Sequence, residues 1–214
     1  SGNIFSYSTA SRATTRTSNK TIPGIQSASW LPNASLAFVR YLSGDNSSTI
    51  NTYALPLSGS GGFFLSQNLA DIAVSSTSVL ILASGVNGSI GSLTNVDGSH
   101  ATQIFTTPLS AIHASFAGKN QYLVYTKPSS LLLGNAYLVD SAGIFSRIFG
   151  PRMGLTALAS PSGKWVLVSY SLNGSMQMGL VNTTTNEVLS LPISTITDKC
   201  VWSADDSVIY CGVP

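Results

Sequence analysis

Apolar residues in this chain come in short runs, often alternating with Ser or Thr and separated by Pro, Gly, Asn and Asp. A period of two puts alternate side chains on opposite faces of an extended strand. No apolar period of three or four persists anywhere, so the pattern predicts strands rather than helices. The strand ends share one spacing. Trp30, Val74, Phe116, Ala159 and Trp202 each close an apolar strand, at intervals of 44, 42, 43 and 43 residues. Six residues after each anchor, at Leu36, Leu80, Tyr122, Trp165 and Val208, a second strand begins that is rich in β-branched and aromatic residues. The segments between, such as Ser160-Pro161-Ser162-Gly163-Lys164 and Ser203-Ala204-Asp205-Asp206-Ser207, hold residues that preset or tolerate tight-turn dihedrals.

A second hairpin follows in each unit. Residues 91–105 turn at Val96-Asp97-Gly98, residues 136–149 at Asp140-Ser141-Ala142-Gly143, and residues 179–191 between Asn182 and Asn186. Residues 50–65 turn in the Gly-rich segment 58–62, and residues 4–17 turn at 10–13. Four strands about every 40–45 residues is the period of a propeller blade. A β-sandwich accounts for short strands but not for a common anchor-to-anchor distance. The expected fold is therefore all-β, a β-propeller of four-stranded blades occupying residues 1–214 as a single domain. The chain opens with an outer hairpin and closes with an inner one. The N- and C-terminal hairpins are expected to combine by strand pairing into a fifth blade, leaving no free sheet edge. A fragment of a larger propeller is the alternative.

Several segments carry a family likeness: Gly2-Asn3-Ile4-Phe5-Ser6-Tyr7, the run Thr15-Arg16-Thr17-Ser18-Asn19-Lys20-Thr21-Ile22-Pro23-Gly24-Ile25, the Ser160 to Lys164 turn, and Lys199-Cys200-Val201-Trp202-Ser203 with Tyr210-Cys211-Gly212-Val213-Pro214. In these the chain resembles uncharacterised WD40-like, TolB-like β-propeller proteins of candidate-phylum (Parcubacteria-type) bacteria. The resemblance runs along the whole chain and implies the same fold. It brings no catalytic motif. Relatives of this type continue past the final Cys-X-Val-Pro with further propeller-like sequence, which implies a longer ring.

Hydrophobic residues make up 43% of the chain, enough for a core, whereas charged residues are only 8%. Ordinary soluble domains carry roughly 25%. Ser, Thr, Asn and Gly supply the polar surface instead, which points to the cell envelope or the extracellular space. Ten basic and eight acidic residues are scattered singly and leave a net charge of +2. Without a basic stripe, nucleic-acid binding lacks its electrostatic footprint. The longest apolar runs, 79–83 and 131–133, fall far short of the ~20 residues of a membrane helix, so no membrane insertion is expected. Ser1-Gly2-Asn3 opens no basic-then-apolar leader, so no signal peptide is expected here.

Two sets of residues are candidates for chemistry. A hairpin centred on Asp205-Asp206 sets Cys200 opposite Cys211, with Val201 facing Tyr210 and Trp202 facing Ile209. Directly opposed positions bring Cα atoms within disulfide range, which suits an oxidising compartment; two buried thiols are the alternative. Two sulfurs without a nearby histidine fall short of four metal ligands, so neither metal nor cofactor is expected.

The second set stands three residues before the anchors: Ser27, Asp71, His113, Thr156 and Lys199, all polar. Innermost strands line a propeller's channel, so these form a candidate ligand-binding ring whose charged members would perturb one another. A polar ring also serves simply to face channel water, which is the structural reading. Of the acids, Asp97, Asp140, Glu187, Asp205 and Asp206 fall in or beside turns, where such residues shape the backbone. Asp71 and Asp198 approach the channel, and Asp45 reaches it only through a loop. A glycosidase needs convergent carboxylates with separate acid and base roles, and no nucleophile elbow offers serine chemistry. His100 is expected in an exposed turn, and Trp30, Trp165 and Trp202 are expected to pack between blades. The expected function is a non-catalytic binding or scaffold module for a protein or carbohydrate partner. A carbohydrate-active hydrolase using Asp71 and Asp198 is the alternative.

Overall fold

The structure, a computed structural model, describes residues 2–17, 21–57 and 61–213. Residues 58–60 of the expected 58–62 turn, residues 18–20 of the family-like run and Pro214 lie outside the described residues. Strands account for about 56% of the chain, and among the described residues there is no α-helix. The all-β expectation holds. The chain forms two compact units, Ser1–Ser84 with Leu93–Thr102 and Gly85–Ser92 with Gln103–Pro214.

In the first unit, β1 (Phe5–Tyr7) and β2 (Thr14–Arg16) form a two-stranded hairpin. A four-stranded antiparallel sheet follows in chain order: β3 (Ile25–Trp30), β4 (Leu36–Ser43), β5 (Thr49–Pro56) and β6 (Phe63–Phe64). The next four-stranded sheet holds β7 (Leu69–Val74), β8 (Ser78–Gly85), β9 (Gly88–Asn95) and β10 (Thr102–Thr107), and the boundary between units passes through its last two strands. Alternation along β4 decides the core. Ala37 and Val39 join Ile22, Tyr53 and Leu55 on one face, while Phe38 joins Ala54, Leu69, Ile72 and Val79 on the other. A strand buried on both faces reads as a near-continuous apolar run, and that is how β4 reads.

The second unit carries a seven-stranded sheet in chain order: β11 (Ile112–Phe116), β12 (Tyr122–Thr126), β13 (Leu133–Val139), β14 (Phe145–Ala159), β15 (Trp165–Leu172), β16 (Ser175–Asn182) and β17 (Val188–Leu191). Its core gathers Leu123, Leu155, Val166, Val168 and Val181, all fully buried. A final hairpin pairs β18 (Cys200–Trp202) with β19 (Ile209–Cys211).

All five anchors end their strands: Trp30 closes β3, Val74 β7, Phe116 β11, Ala159 β14 and Trp202 β18. Leu36, Tyr122 and Trp165 open the following strands as expected, while β8 starts earlier at Ser78 and β19 later at Ile209. One expectation needs correction. The outer strand ending near Phe149 does not stop before the next inner strand, because β14 is continuous. Its start pairs with β13 (Val139 opposite Phe145), its end with β15 (Val166 opposite Ala159), and Met153 opposes both Leu133 and Ser171. Gly150 (φ 109°) and Gly154 (φ 60°), with register shifts on either side, let the strand turn while remaining in both ladders. The N-terminal and C-terminal hairpins are each a two-stranded sheet among the described residues.

Candidate functional site

In the first unit, Ser27 lies on β3 opposite Arg40, and Asp71 lies on β7 opposite Leu82. A register shift sits immediately before each, bending the strand there. Ser27 is exposed. The Asp71 side chain is largely buried and its carboxylate stands 3.8 Å from the Arg40 guanidinium. Its Oδ1 also accepts the Ile72 N–H at 2.9 Å. Arg40 completes the arrangement by donating to the Leu69 carbonyl. The sequence did contain a signal for Arg40: it is the one charged residue in the second strands of the repeats.

In the second unit, His113 stands on β11 opposite Tyr125, with ring centroids 5.2 Å apart and planes tilted by 34°. Thr156 stands on β14 opposite Ser169, and both are buried. The Thr156 hydroxyl lies 2.6 Å from the Ser169 hydroxyl and accepts a 2.8 Å hydrogen bond from the Thr197 hydroxyl. Thr197 is also buried, and its N–H reaches both Thr156 and Ser169 oxygens at 3.4 Å. Buried hydroxyls require such partners, so Thr156 acts inside the protein. Lys199 is not on an inner strand. It ends a short 3-10 turn, Thr197–Lys199, and is exposed, while β18 begins one residue later. Thr197 is drawn to the distant Thr156–Ser169 pair, and the Lys199 N–H closes onto the Ile196 carbonyl at 3.0 Å.

Most carboxylates shape turns, as the sequence predicted. Asp97 Oδ1 accepts the Ser99 hydroxyl at 2.6 Å and the Ser99 N–H at 2.9 Å, and these bonds hold its carboxyl below the usual range. Asp140 Oδ1 accepts the N–H groups of Ala142 and Ile144, both at 2.9 Å. Asp205 accepts the hydroxyls of Ser203 and Ser207 at 2.6 and 2.7 Å, and its pKa is pushed down to about 2. Asp206 reaches out of its own turn. Burial pushes its carboxyl up, but hydrogen bonds from Ser162 and Ser160 outweigh that and hold it low. The Ser160 hydroxyl donates to Asp206 Oδ2 at 2.8 Å, and the Ser162 hydroxyl donates to the same oxygen. Acids held low stay ionised at neutral pH and have no proton to give a leaving group. Asp198 and Asp45 are exposed in 3-10 turns. His100 sits in an exposed turn, its Nδ1 2.8 Å from the Ser99 hydroxyl.

Cys200 and Cys211 are disulfide-bonded with Cα atoms 4.1 Å apart, and Val201 and Trp202 face Tyr210 and Ile209 in the predicted register. Trp202 packs its hairpin against β14 by donating Nε1–H to the Leu158 carbonyl at 3.4 Å. Trp30 departs from its expected packing role and is 43% exposed.

No protein-family model and no curated protein matches this sequence. Solved structures do match. TolB from Acinetobacter baumannii is 16% identical with a TM-score of 0.63, over 91% of this chain and 50% of that one. The β-propeller domain of the Trilobed protease from Pyrococcus furiosus, with an open velcro topology, is 10% identical at a TM-score of 0.64, over 88% and 63%. An oligogalacturonate lyase in complex with manganese is 12% identical at 0.66, over 99% and 64%. The chain spans about half the length of the TolB it matches. These likenesses establish a TolB-like β-propeller fold, and at such identities they concern the fold alone.

Proposed function

We propose that this chain is a non-catalytic binding or scaffold β-propeller of the cell envelope or extracellular space, with a protein or carbohydrate partner. The observation that carries the reading is the engagement of its carboxylates. Asp97, Asp140, Asp205 and Asp206 accept hydrogen bonds from turn residues, and Asp71 is paired with Arg40. Engaged in this way they serve the backbone and Arg40, whereas a glycosidase directs two carboxyl groups at one glycosidic bond. The Cys200–Cys211 bridge supports an oxidising compartment. The repeat spacing of about 43 residues supports one propeller domain over 1–214, as a ring of about five blades or an arc of a larger one. Ser27, Asp71 and His113 are the inner-strand polar positions proposed to meet a ligand, Thr156 supports β14 from the core, and Lys199 would contribute from the turn before β18. The family likeness supports a bacterial source.

The test has two arms. Purified protein is assayed against chromogenic glycosides, esters and aminoacyl nitroanilides beside Asp71→Ala and Asp198→Ala variants; all three are expected to match the enzyme-free blank. Turnover lost in either variant would make the protein a hydrolase instead. In cells, thiol labelling of Cys200 and Cys211 after fractionation is expected to find them oxidised and outside the cytoplasm. Reduced cysteines in a cytoplasmic fraction would overturn the envelope assignment.

A further inference from the structure

The unit made of Gly85–Ser92 with Gln103–Pro214 presents an unusual end. Between β12 and β13 the chain reads Lys127-Pro128-Ser129-Ser130-Leu131-Leu132, and Leu131 and Leu132 are 85% and 72% exposed. Val86, at the tip of the β8–β9 connection, is fully exposed. These tips are neighbours. Pro108 lines one groove with Val86, of about 440 Å3, and a second with Leu132 and Lys127, of about 250 Å3. The register extends the patch, since Leu133 opposes Met153 and both are exposed. Exposed contiguous apolar surface of this kind marks an interaction site.

Three observations choose between lipid and protein as its occupant. The first is backbone satisfaction: the Ser129 hydroxyl accepts the N–H of Leu131 at 3.0 Å and of Leu132 at 3.1 Å. The leucine tip therefore enters a hydrocarbon phase without carrying those two amides in unpaired, the cost that excludes most loops from membranes. The second is charge. The strand topology gathers Lys127, Arg152 and Lys199 at this end with Asp198 as the acid, while the turns of the opposite end hold Asp140, Glu187, Asp205 and Asp206 against Lys119 and Lys164. Arg152 is fixed at the rim, its guanidinium 5.9 Å from the Phe149 ring centroid and 5.5 Å from that of Tyr170. The third is shape. Val86 and Leu131-Leu132 are exposed on separate connections, and a fluid bilayer accepts apolar side chains presented from separate loops without a matching partner surface.

We infer that this end docks on an anionic phospholipid bilayer: Leu131, Leu132 and Val86 enter the headgroup–acyl boundary, while Lys127 and Arg152 lie level with the phosphates. The contact is interfacial and spans nothing, consistent with the absence of any helix long and apolar enough to cross a membrane among the described residues. It deepens the envelope part of the proposed function and is independent of whether the protein catalyses a reaction.

Co-sedimentation of the purified, disulfide-bonded chain with vesicles tests this. Binding is expected to phosphatidylglycerol–phosphatidylcholine vesicles and to be much weaker to phosphatidylcholine alone. It should weaken as salt rises from about 0.1 to 1 M, where the Debye length falls from about 10 to 3 Å. Replacing both leucines by serine (L131S/L132S) should lower partitioning by about tenfold per leucine. The variant's circular dichroism and melting should be unchanged, because both side chains already face solvent. Val86→Ser should weaken binding independently, and Leu131→Trp should show blue-shifted emission only with anionic vesicles. Equal binding to both vesicle types, or undiminished binding by L131S/L132S, would overturn the inference. So would leucine-dependent self-association without vesicle binding, which would make the surface a protein contact. Such failures leave the activity assays and fractionation above untouched, so the two readings fail separately.

Discussion

Thr156 separates a ligand-facing ring from an internal support, and Thr156→Val tests the difference. The substitution keeps the shape of the side chain and removes the hydroxyl on which Ser169 and Thr197 converge. Each hydrogen bond contributes about 0.5–1.5 kcal/mol net, and a buried hydroxyl left without its partner costs about 1–3 kcal/mol. Ser169 keeps a 3.4 Å contact from the Thr197 N–H, so it is not fully orphaned. The expected destabilisation is therefore about 2–4 kcal/mol, against less than about 0.5 kcal/mol for a side chain facing channel water. Urea unfolding followed by the fluorescence of Trp165 and Trp202 reads it as a lowered midpoint at constant slope. The substitutions T156V, S169A and T197V should combine non-additively, because each alone leaves the other two hydroxyls short of a partner within one shared network. A Thr156→Val midpoint equal to the parent's, or strict additivity of the three substitutions, would refute the buried network as the reason for this residue.

Three further outcomes are expected. Asp206 has a carboxyl held low by Ser160 and Ser162, so its contribution to stability is full above its unfolded pKa, near 3.9, and is lost as pH falls through the lower folded value. Melting curves from pH 6 down to pH 2 should accordingly fall more steeply for the parent than for Asp206→Asn. Reducing the Cys200–Cys211 bridge, which closes a loop with a sequence separation of 11, should lower the unfolding free energy by about 2–3 kcal/mol. Denaturation with and without dithiothreitol, alongside the double serine variant, measures it. Arg40→Met should cost about 1–3 kcal/mol, because it strips the cation from a largely buried Asp71 and the donor from the Leu69 carbonyl. Asp71→Asn/Arg40→Met should be less destabilised than the sum of its parts.

What the sequence revealed was whatever the chain encodes locally. The anchors Trp30 to Trp202 fall on strand ends because turn chemistry and two-residue alternation act within a few positions. The Cys200–Cys211 register followed from counting outward from Asp205-Asp206. Partners distant in the chain were not legible. Thr197 meets Thr156 across 41 residues, and that contact draws Lys199 into a turn instead of a strand. Asp206 meets Ser160 across 46, from a turn that by itself looked merely local. Leu131 and Leu132 read as an apolar run too short to span a membrane. In the structure the Ser129 hydroxyl accepts both of their amides while their side chains face solvent, an arrangement that a short apolar run does not by itself reveal.

The unbroken β14 strand has a consequence for how the second unit breathes. Met153 stands in register with strands on both sides, so β13 and β15 cannot part from their neighbours independently of the residue that joins them. Deuterium uptake should therefore proceed through β11–β17 as one slow cooperative block, while the short β1–β2 hairpin, exposed along its length, exchanges early on its own.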